Sequence, residues 1–293
     1  MSKAARNRSQ AVRAKLAAQQ AAARRAEARR RMLIAGGIVA AAAVVVVVIV
    51  VAAGRTPASS PGRSSPAVAE PAVAREISTV SAATLNAIGK GTAAGLQPLT
   101  GTSELMQDGK PEVVYIGGEF CPYCAAERWV IAAALARFGT LSGLRFIHSS
   151  ATDIYPDTPT LTFEKSSYTS RYISFAPVEW YGEADDPNTP LRHVYLQHPT
   201  AEQEALFSKY AAGIPFLDIA SRYLLPGVPY APSALAGLSW AQVAADMHNP
   251  GSPVAKDIDG AVNIMSAAIC RVTDGQPGGV CRSAGVTSAA GSL

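Results

Sequence analysis

Histidine is scarce in this 293-residue chain: His148, His193, His198 and His248 are the whole set. Only His193 and His198 are near neighbours, and with no acidic cluster beside them their spacing does not define a metal site. Cysteine is as scarce, with four. A structural zinc site takes four Cys or His ligands at short spacings, whereas Cys270 and Cys281 lie far from Cys121 and Cys124 and have ten residues between them. No metal and no other cofactor is expected. Charge is missing altogether from residues 32–54, and acid is nearly missing from residues 1–31, where Glu27 stands alone against ten Lys and Arg.

The last two absences belong together. Residues 32–54 are 23 uncharged positions, rich in Ala and Val and long enough to cross a bilayer as a helix. In hydrocarbon the backbone must satisfy its own hydrogen bonds, which overrides the poor helix propensity of valine. The basic arm carries +9; because the chain's formal net charge is +4, the remainder carries −5. Positive flanks stay on the cytoplasmic side, so residues 55–293 are expected outside the cytoplasm, in a single-pass cell-membrane protein. Contact of the arm with anionic lipid is compatible with this reading. Nucleic-acid binding by the Ala/Arg arm is the sharper alternative, disfavoured because basic flanks beside a span are topology signals. A cleaved signal peptide fits less well, since the apolar run exceeds the usual core of about 7 to 15 residues and Ala52-Ala53-Gly54 makes a poor cleavage site.

Outside the cytoplasm disulfides persist, and four cysteines form an even set. Cys121 and Cys124 enclose Pro122 and Tyr123 between an apolar run at 113–116 and a helical pattern over 122–138. Free amides at a helix N-terminus stabilise a thiolate, so Cys121 is the expected nucleophile. Cys124, one turn on, is placed to resolve a mixed disulfide formed at Cys121. Pro122 suits the first turn, where its missing N–H has no intrahelical partner to lose. A static bridge that only tightens the turn stays open as an alternative. Cys270 and Cys281 flank a turn-rich loop, and a structural disulfide there stabilises the fold by about 3 kcal/mol in the chain-entropy model. An internal relay with Cys121 and Cys124 would require the two pairs to approach closely.

The order of patterns sets out the rest. Residues 55–74, rich in Pro, Ser and Ala, read as a flexible tether, and 76–88 as a leading helix. A buried strand at 113–116, the helix over 122–138 and a second strand at 144–148 make a parallel strand–helix–strand unit. Residues 151–200 carry short strand patterns and read as an insertion; there Tyr168, Tyr172, Phe175, Trp180 and Tyr181 form either core or a peptide-binding surface. A helix over 201–210 precedes a hairpin of 213–219 and 223–225, opened by proline at Ile214-Pro215, where a cis peptide is affordable. Ser239 caps a helix, 258–270 forms the last one, and 283–293 read as a disordered tail.

A Cys-Pro-Tyr-Cys run at a strand-to-helix turn followed by a Gly-Ile-Pro that opens a hairpin resembles the thioredoxin superfamily over about residues 110–250; the four-residue run itself looks like that of glutaredoxins and some periplasmic disulfide isomerases. Three further segments, Tyr168-Thr169-Ser170 with Tyr172-Ile173-Ser174-Phe175, Ile214-Pro215-Phe216-Leu217-Asp218-Ile219 and Leu235-Ala236-Gly237-Leu238-Ser239-Trp240, resemble a thioredoxin-like family known as domain of unknown function 929. The resemblance implies an α/β thioredoxin-like fold with an insertion after the second strand. It also implies a cis Pro215 against the dithiol, with Pro122, Tyr123, Ile214 and Pro215 meeting a substrate chain that pairs like an added strand. The expected activity is thiol–disulfide exchange on exported, cysteine-containing proteins, with a membrane redox partner to recycle the pair and no nucleic acid. A thioredoxin-like binding or assembly module with structural disulfides is the competing expectation. One position departs from the superfamily: six residues before the first cysteine, where a buried acid handles protons, stands Tyr115. Glu119, Glu127 and Arg128 are the neighbouring charges, expected as solvated side chains.

Overall fold

The computed structural model describes residues 66–293 except 212 and 226. The basic arm, the apolar 32–54 segment and residues 55–65 of the expected tether lie outside the described residues. Among the described residues no helix is long and apolar enough to cross a membrane.

Helices α1 (Pro66–Ser78) and α2 (Ala82–Ile88) come first. The tether expected up to residue 74 is therefore helical from Pro66, and the single helix expected over 76–88 is two, broken where the Ser81 side chain accepts the Thr84 amide and caps α2. The reason is tertiary: Val73 and Ile77, four apart on α1, are buried, so α1 is held by an apolar edge too narrow to register as periodicity. There follow β1 (Gln97–Pro98), β2 (Met106–Gln107), β3 (Lys110–Gly118) and α3 (Pro122–Ala136). Next come β4 (Gly139–Ser142), β5 (Arg145–His148), β6 (Pro159–Thr162), β7 (Ser167–Ser170), β8 (Ser174–Asp185) and β9 (His193–Tyr195). Helix α4 (Ala201–Tyr210), β10 (Phe216–Ile219), β11 (Tyr223–Leu225), α5 (Trp240–Met247), α6 (Pro253–Val272), α7 (Gly278–Cys281) and α8 (Ala284–Ala289) complete the order.

A central mixed sheet runs β1-β11-β10-β3-β8-β9, with β2 paired to β3 outside that path. Strand β3 is parallel to β8 and antiparallel to β10, and β10 and β11 form the expected hairpin. Side chains alternate across β3: Val113 and Tyr115 join the core on the α3 side, while Val114 and Ile116 join the opposite cluster with Val178, Phe216 and Phe207. Burial on both faces is why the run reads as continuously apolar.

The second strand of the parallel unit is not where the sequence places it. Residues 145–148 form β5, which pairs antiparallel with β6 in a separate two-stranded ladder, and the parallel partner of β3 is β8. The insertion therefore precedes the second central strand, and the segment at 151–200 contains that strand. The signal was hidden because Pro177 lies inside β8, opposite Tyr115, and proline weighs against a central strand. The tail is likewise ordered: α8 buries Val286 and Ala289, and the Gly285 amide donates to Asn86 Oδ1 at 2.8 Å.

Helix α6 crosses α3 and carries Asp259, buried with both carboxylate oxygens lacking a hydrogen-bond partner. Burial raises its pKa to about 8, against the pull of Arg137. The folded protein thus keeps a proton that the unfolded chain releases above about pH 3.9. Stability linked to this group is complete below that pH and is lost as pH rises to about 8, at up to about 1.4 kcal/mol per pH unit. Urea denaturation at successive pH values should show Asp259→Asn losing less stability than the parent between about pH 5 and about pH 8. Parallel curves would remove Asp259 from the account.

Candidate active site: the buried dithiol

Strand β3 ends in Gly117-Gly118 at a register shift against β8, and both glycines are required by close approach. A Cβ on Gly117 would enter the space of the Tyr115 hydroxyl, and one on Gly118 would stand 2.9 Å from Phe120 and 3.1 Å from Ile214 Cδ1. The turn that follows is held on both sides: the Glu119 amide donates to Tyr181 O at 2.7 Å and the Ser150 amide to Phe120 O at 2.8 Å. The chain then enters α3, with Cys121 as its N-cap and Pro122 in the first turn.

Cys121 Sγ accepts the Cys124 amide at 3.3 Å. Cys121 is 5 % exposed and Cys124 fully buried, and both are free thiols. Burial works against ionisation of Cys121, but hydrogen bonds from the Cys124 thiol and amide, the Arg128 charge and the Tyr123 amide outweigh it and bring the thiol below its ordinary value. Cys124 goes the other way: burial first, then its hydrogen bond and charge interaction with Cys121, lift it well above the usual thiol range. The two sulfurs are thereby split, Cys121 ionising more readily than an ordinary thiol and Cys124 less readily.

The charges beneath the dithiol are not solvated. Helix α3 is enclosed on every side, and Glu127 and Arg128 are fully buried. Arg128 Nε donates to Glu179 Oε1 at 2.8 Å and Nη2 to Oε2 at 2.7 Å, a bidentate pair between α3 and β8. Nη2 also donates to Gly118 O at 2.6 Å, while Nη1 has no partner. Glu179 further accepts the Phe163 amide at 3.1 Å. Glu127, three residues beyond Cys124, has no partner on either oxygen; burial, then the nearby Cys121, hold it well above the carboxylate range despite Arg128. Tyr115, where an acid would be expected, is buried with its hydroxyl unpartnered and its ring centroid 6.0 Å from the Arg128 guanidinium carbon.

The residues expected to face a substrate come together at one edge. Ile214-Pro215 is cis. The register of Phe216 with Ile116 continues one step to set Pro215 beside Gly117 and Ile214 beside Gly118, consistent with the Ile214–Gly118 approach. Pro122 and Pro215 are buried, and Tyr123 is 37 % exposed beside the turn. Aromatic side chains that sequence reading passed over complete the rim: Tyr155 meets Tyr123 edge-on at 5.7 Å, and His193 stacks on Phe120 at 3.8 Å. Of the aromatics considered earlier, Tyr168 and Phe175 pack into the core with Phe163, and Tyr181 is buried against Phe120. No sequence signal marked Tyr155 or His193, because the rings they meet, Tyr123 and Phe120, are more than thirty positions away in the chain.

Cys270 and Cys281 are disulfide-bonded, with Cα atoms 5.5 Å apart. Arg137, just beyond the C-terminus of α3, donates to Ser266 Oγ at 2.8 Å and to Ser283 Oγ at 3.4 Å, so the bridge lies by the end of α3 remote from Cys121. Fifteen helical residues span roughly 20 Å, far beyond sulfur contact. Among the described residues no group of three or more His, Cys, Asp or Glu could hold a metal ion.

The family described as Domain of unknown function (DUF929) matches residues 100–198. That stretch holds β3, the dithiol, α3 and most of the aromatic rim, and ends before Ile214-Pro215. No curated protein and no solved structure matches the chain.

Proposed function

We propose that this chain is a thiol–disulfide oxidoreductase of thioredoxin-like fold. The fold reading is supported by β3 running through a turn into α3, its parallel pairing with β8, and the β10–β11 hairpin opened by cis Pro215. The observation that carries the activity is the unbridged Cys121–Cys124 pair at the N-terminus of a buried helix, with the Cys124 amide on Cys121 Sγ and the Arg128 charge behind it. In the reducing sense, Cys121 thiolate attacks one sulfur of a substrate disulfide and expels the other as a thiolate. Cys124 then gives up its proton to the expelled substrate thiolate and attacks Cys121 Sγ. The Cys121–Cys124 bridge forms, the second substrate sulfur leaves, and two electrons have passed to the substrate. The opposite sense is the same sequence reversed.

Residues 32–54 as a membrane anchor would present this site to exported, cysteine-containing proteins, with a membrane redox partner recycling the pair. The test is an equilibrium titration of the full-length protein, solubilised in detergent, against glutathione buffers while Cys121 alkylation is followed. A pair that exchanges within the glutathione range supports the reading. One that stays oxidised below about −300 mV, as structural bridges do, would overturn it.

A further inference from the structure

One turn beyond Cys124 on α3, Arg128 forms a buried ion pair with Glu179 and donates to Gly118 O in the turn before Cys121, and it bears on the direction of electron flow. The inference rests on the reading of Cys121 and Cys124 as an exchanging pair. The charged and titratable groups around them are Cys124, Glu127 and Arg128 on α3, Glu119 in the preceding turn, Tyr115 on β3 and Glu179 on β8. Glu127 and Tyr115 are buried, and burial pushes both well above their usual values, which favours their neutral forms. Glu119 is partly exposed and faces Arg145, whereas Arg128 and Glu179 are joined in an ion pair that is fully buried. Arg128 shares α3 with the cysteines and acts on both sulfurs, and its Nη1 is buried without any partner. A guanidinium with an unanswered N–H in a water-free site attracts a thiolate strongly, whereas a disulfide carries no charge for it to attract.

We propose that Arg128, oriented by Glu179, stabilises the reduced pair over the bridge, so that Cys121–Cys124 acts as a disulfide donor to substrate thiols. A substrate thiolate attacks Cys121 Sγ, the slightly exposed sulfur, and Cys124 leaves and takes up a proton. A second substrate thiolate then attacks the substrate sulfur of the mixed disulfide and expels Cys121 as the thiolate that Arg128 faces. The substrate gains one disulfide and loses two electrons to the pair, and a good leaving thiolate speeds the last step. Re-oxidation calls for an external disulfide oxidant, for which oxidised glutathione serves in the test. Arg128 touches neither substrate nor the breaking bond, so it is a positioning residue.

The test compares the full-length protein with Glu179→Gln and with Arg128→Met/Glu179→Met. The double variant removes the ion pair as a unit, a replacement buried cores tolerate. Two quantities are read: the Cys121 pKa in the reduced proteins, from thiolate ultraviolet absorbance, and the equilibrium constant with glutathione. Glu179→Gln leaves Arg128 without its counter-ion and should lower the Cys121 pKa and shift the equilibrium about tenfold toward the dithiol, about 30 mV more oxidising. The double variant should raise the pKa and shift the equilibrium about tenfold toward the bridge. Opposite shifts support the proposal. Shifts of the same sign, or both variants within about twofold of the parent, overturn it. If the parent pair fails to exchange with glutathione at all, the oxidoreductase reading falls, while the pKa measurements still decide what Arg128 does to Cys121.

Discussion

Replacing Cys124 with Ser is expected to trap partners as mixed disulfides on Cys121, while Cys121→Ser abolishes both trapping and turnover. The first variant keeps the attacking thiolate and removes the sulfur that releases it, so captured species should accumulate toward one per molecule of protein. The second removes the nucleophile, because Cys124 is fully buried and its thiol is held well above the usual range. Non-reducing electrophoresis of cells expressing each variant, with thiols blocked at lysis, reads the result. Equal trapping by both variants would contradict the assignment of Cys121 as the attacking sulfur. No trapping by Cys124→Ser, together with unchanged thiol content in exported proteins, would favour the assembly-module reading.

Arg128→Met alone should destabilise the domain by about 3 to 5 kcal/mol, because it leaves Glu179 charged and buried without its bidentate partner. The loss is specific to breaking the pair. Adding Glu179→Met should recover most of it, since two apolar side chains fill the space with no ion to desolvate. Urea denaturation of the three proteins measures both steps. A single variant as stable as the parent would mean that Glu179 takes up a proton without penalty or is not enclosed, and either outcome removes the buried pair as a structural element. The comparison is also a control for the redox measurements, because the double variant should be folded well enough for its Cys121 pKa to be read.

The part of the site legible in the sequence is the part made within one helical turn. Cys121 as N-cap, Pro122 in the first turn and Cys124 one turn on depend on local geometry, and the helix start is where they were expected. The Ile214-Pro215 step and the hairpin after it were legible for the same reason. Glu127 and Arg128 were not, because a Glu-Arg pair on a helix is ordinarily solvated, and whether it meets water depends on what packs around the helix. Here α1, α6 and β6 enclose α3, which is buried continuously from Cys124 to Leu135. Glu179 is fifty-one positions from Arg128, on a strand whose central place was obscured by Pro177. The helical start at Pro66 and the ordered C-terminal turn escaped notice because their burial depends on neighbours remote in the chain.

From its residues alone, the chain determined the Cys-Pro-Tyr-Cys step at a helix start, and with it the expectations of attack by Cys121, resolution by Cys124 and an anchor outside the described residues. Each rests on short-range chemistry: a cap, a turn, an uninterrupted apolar run. Tertiary structure decided which strand completes the parallel unit, that Cys270–Cys281 lies by the end of α3 away from Cys121, and that Arg128 on the helix of the dithiol is buried in an ion pair with Glu179. Those depend on burial, which is a property of the packed chain and strengthens a charge interaction by removing the water that would otherwise weaken it.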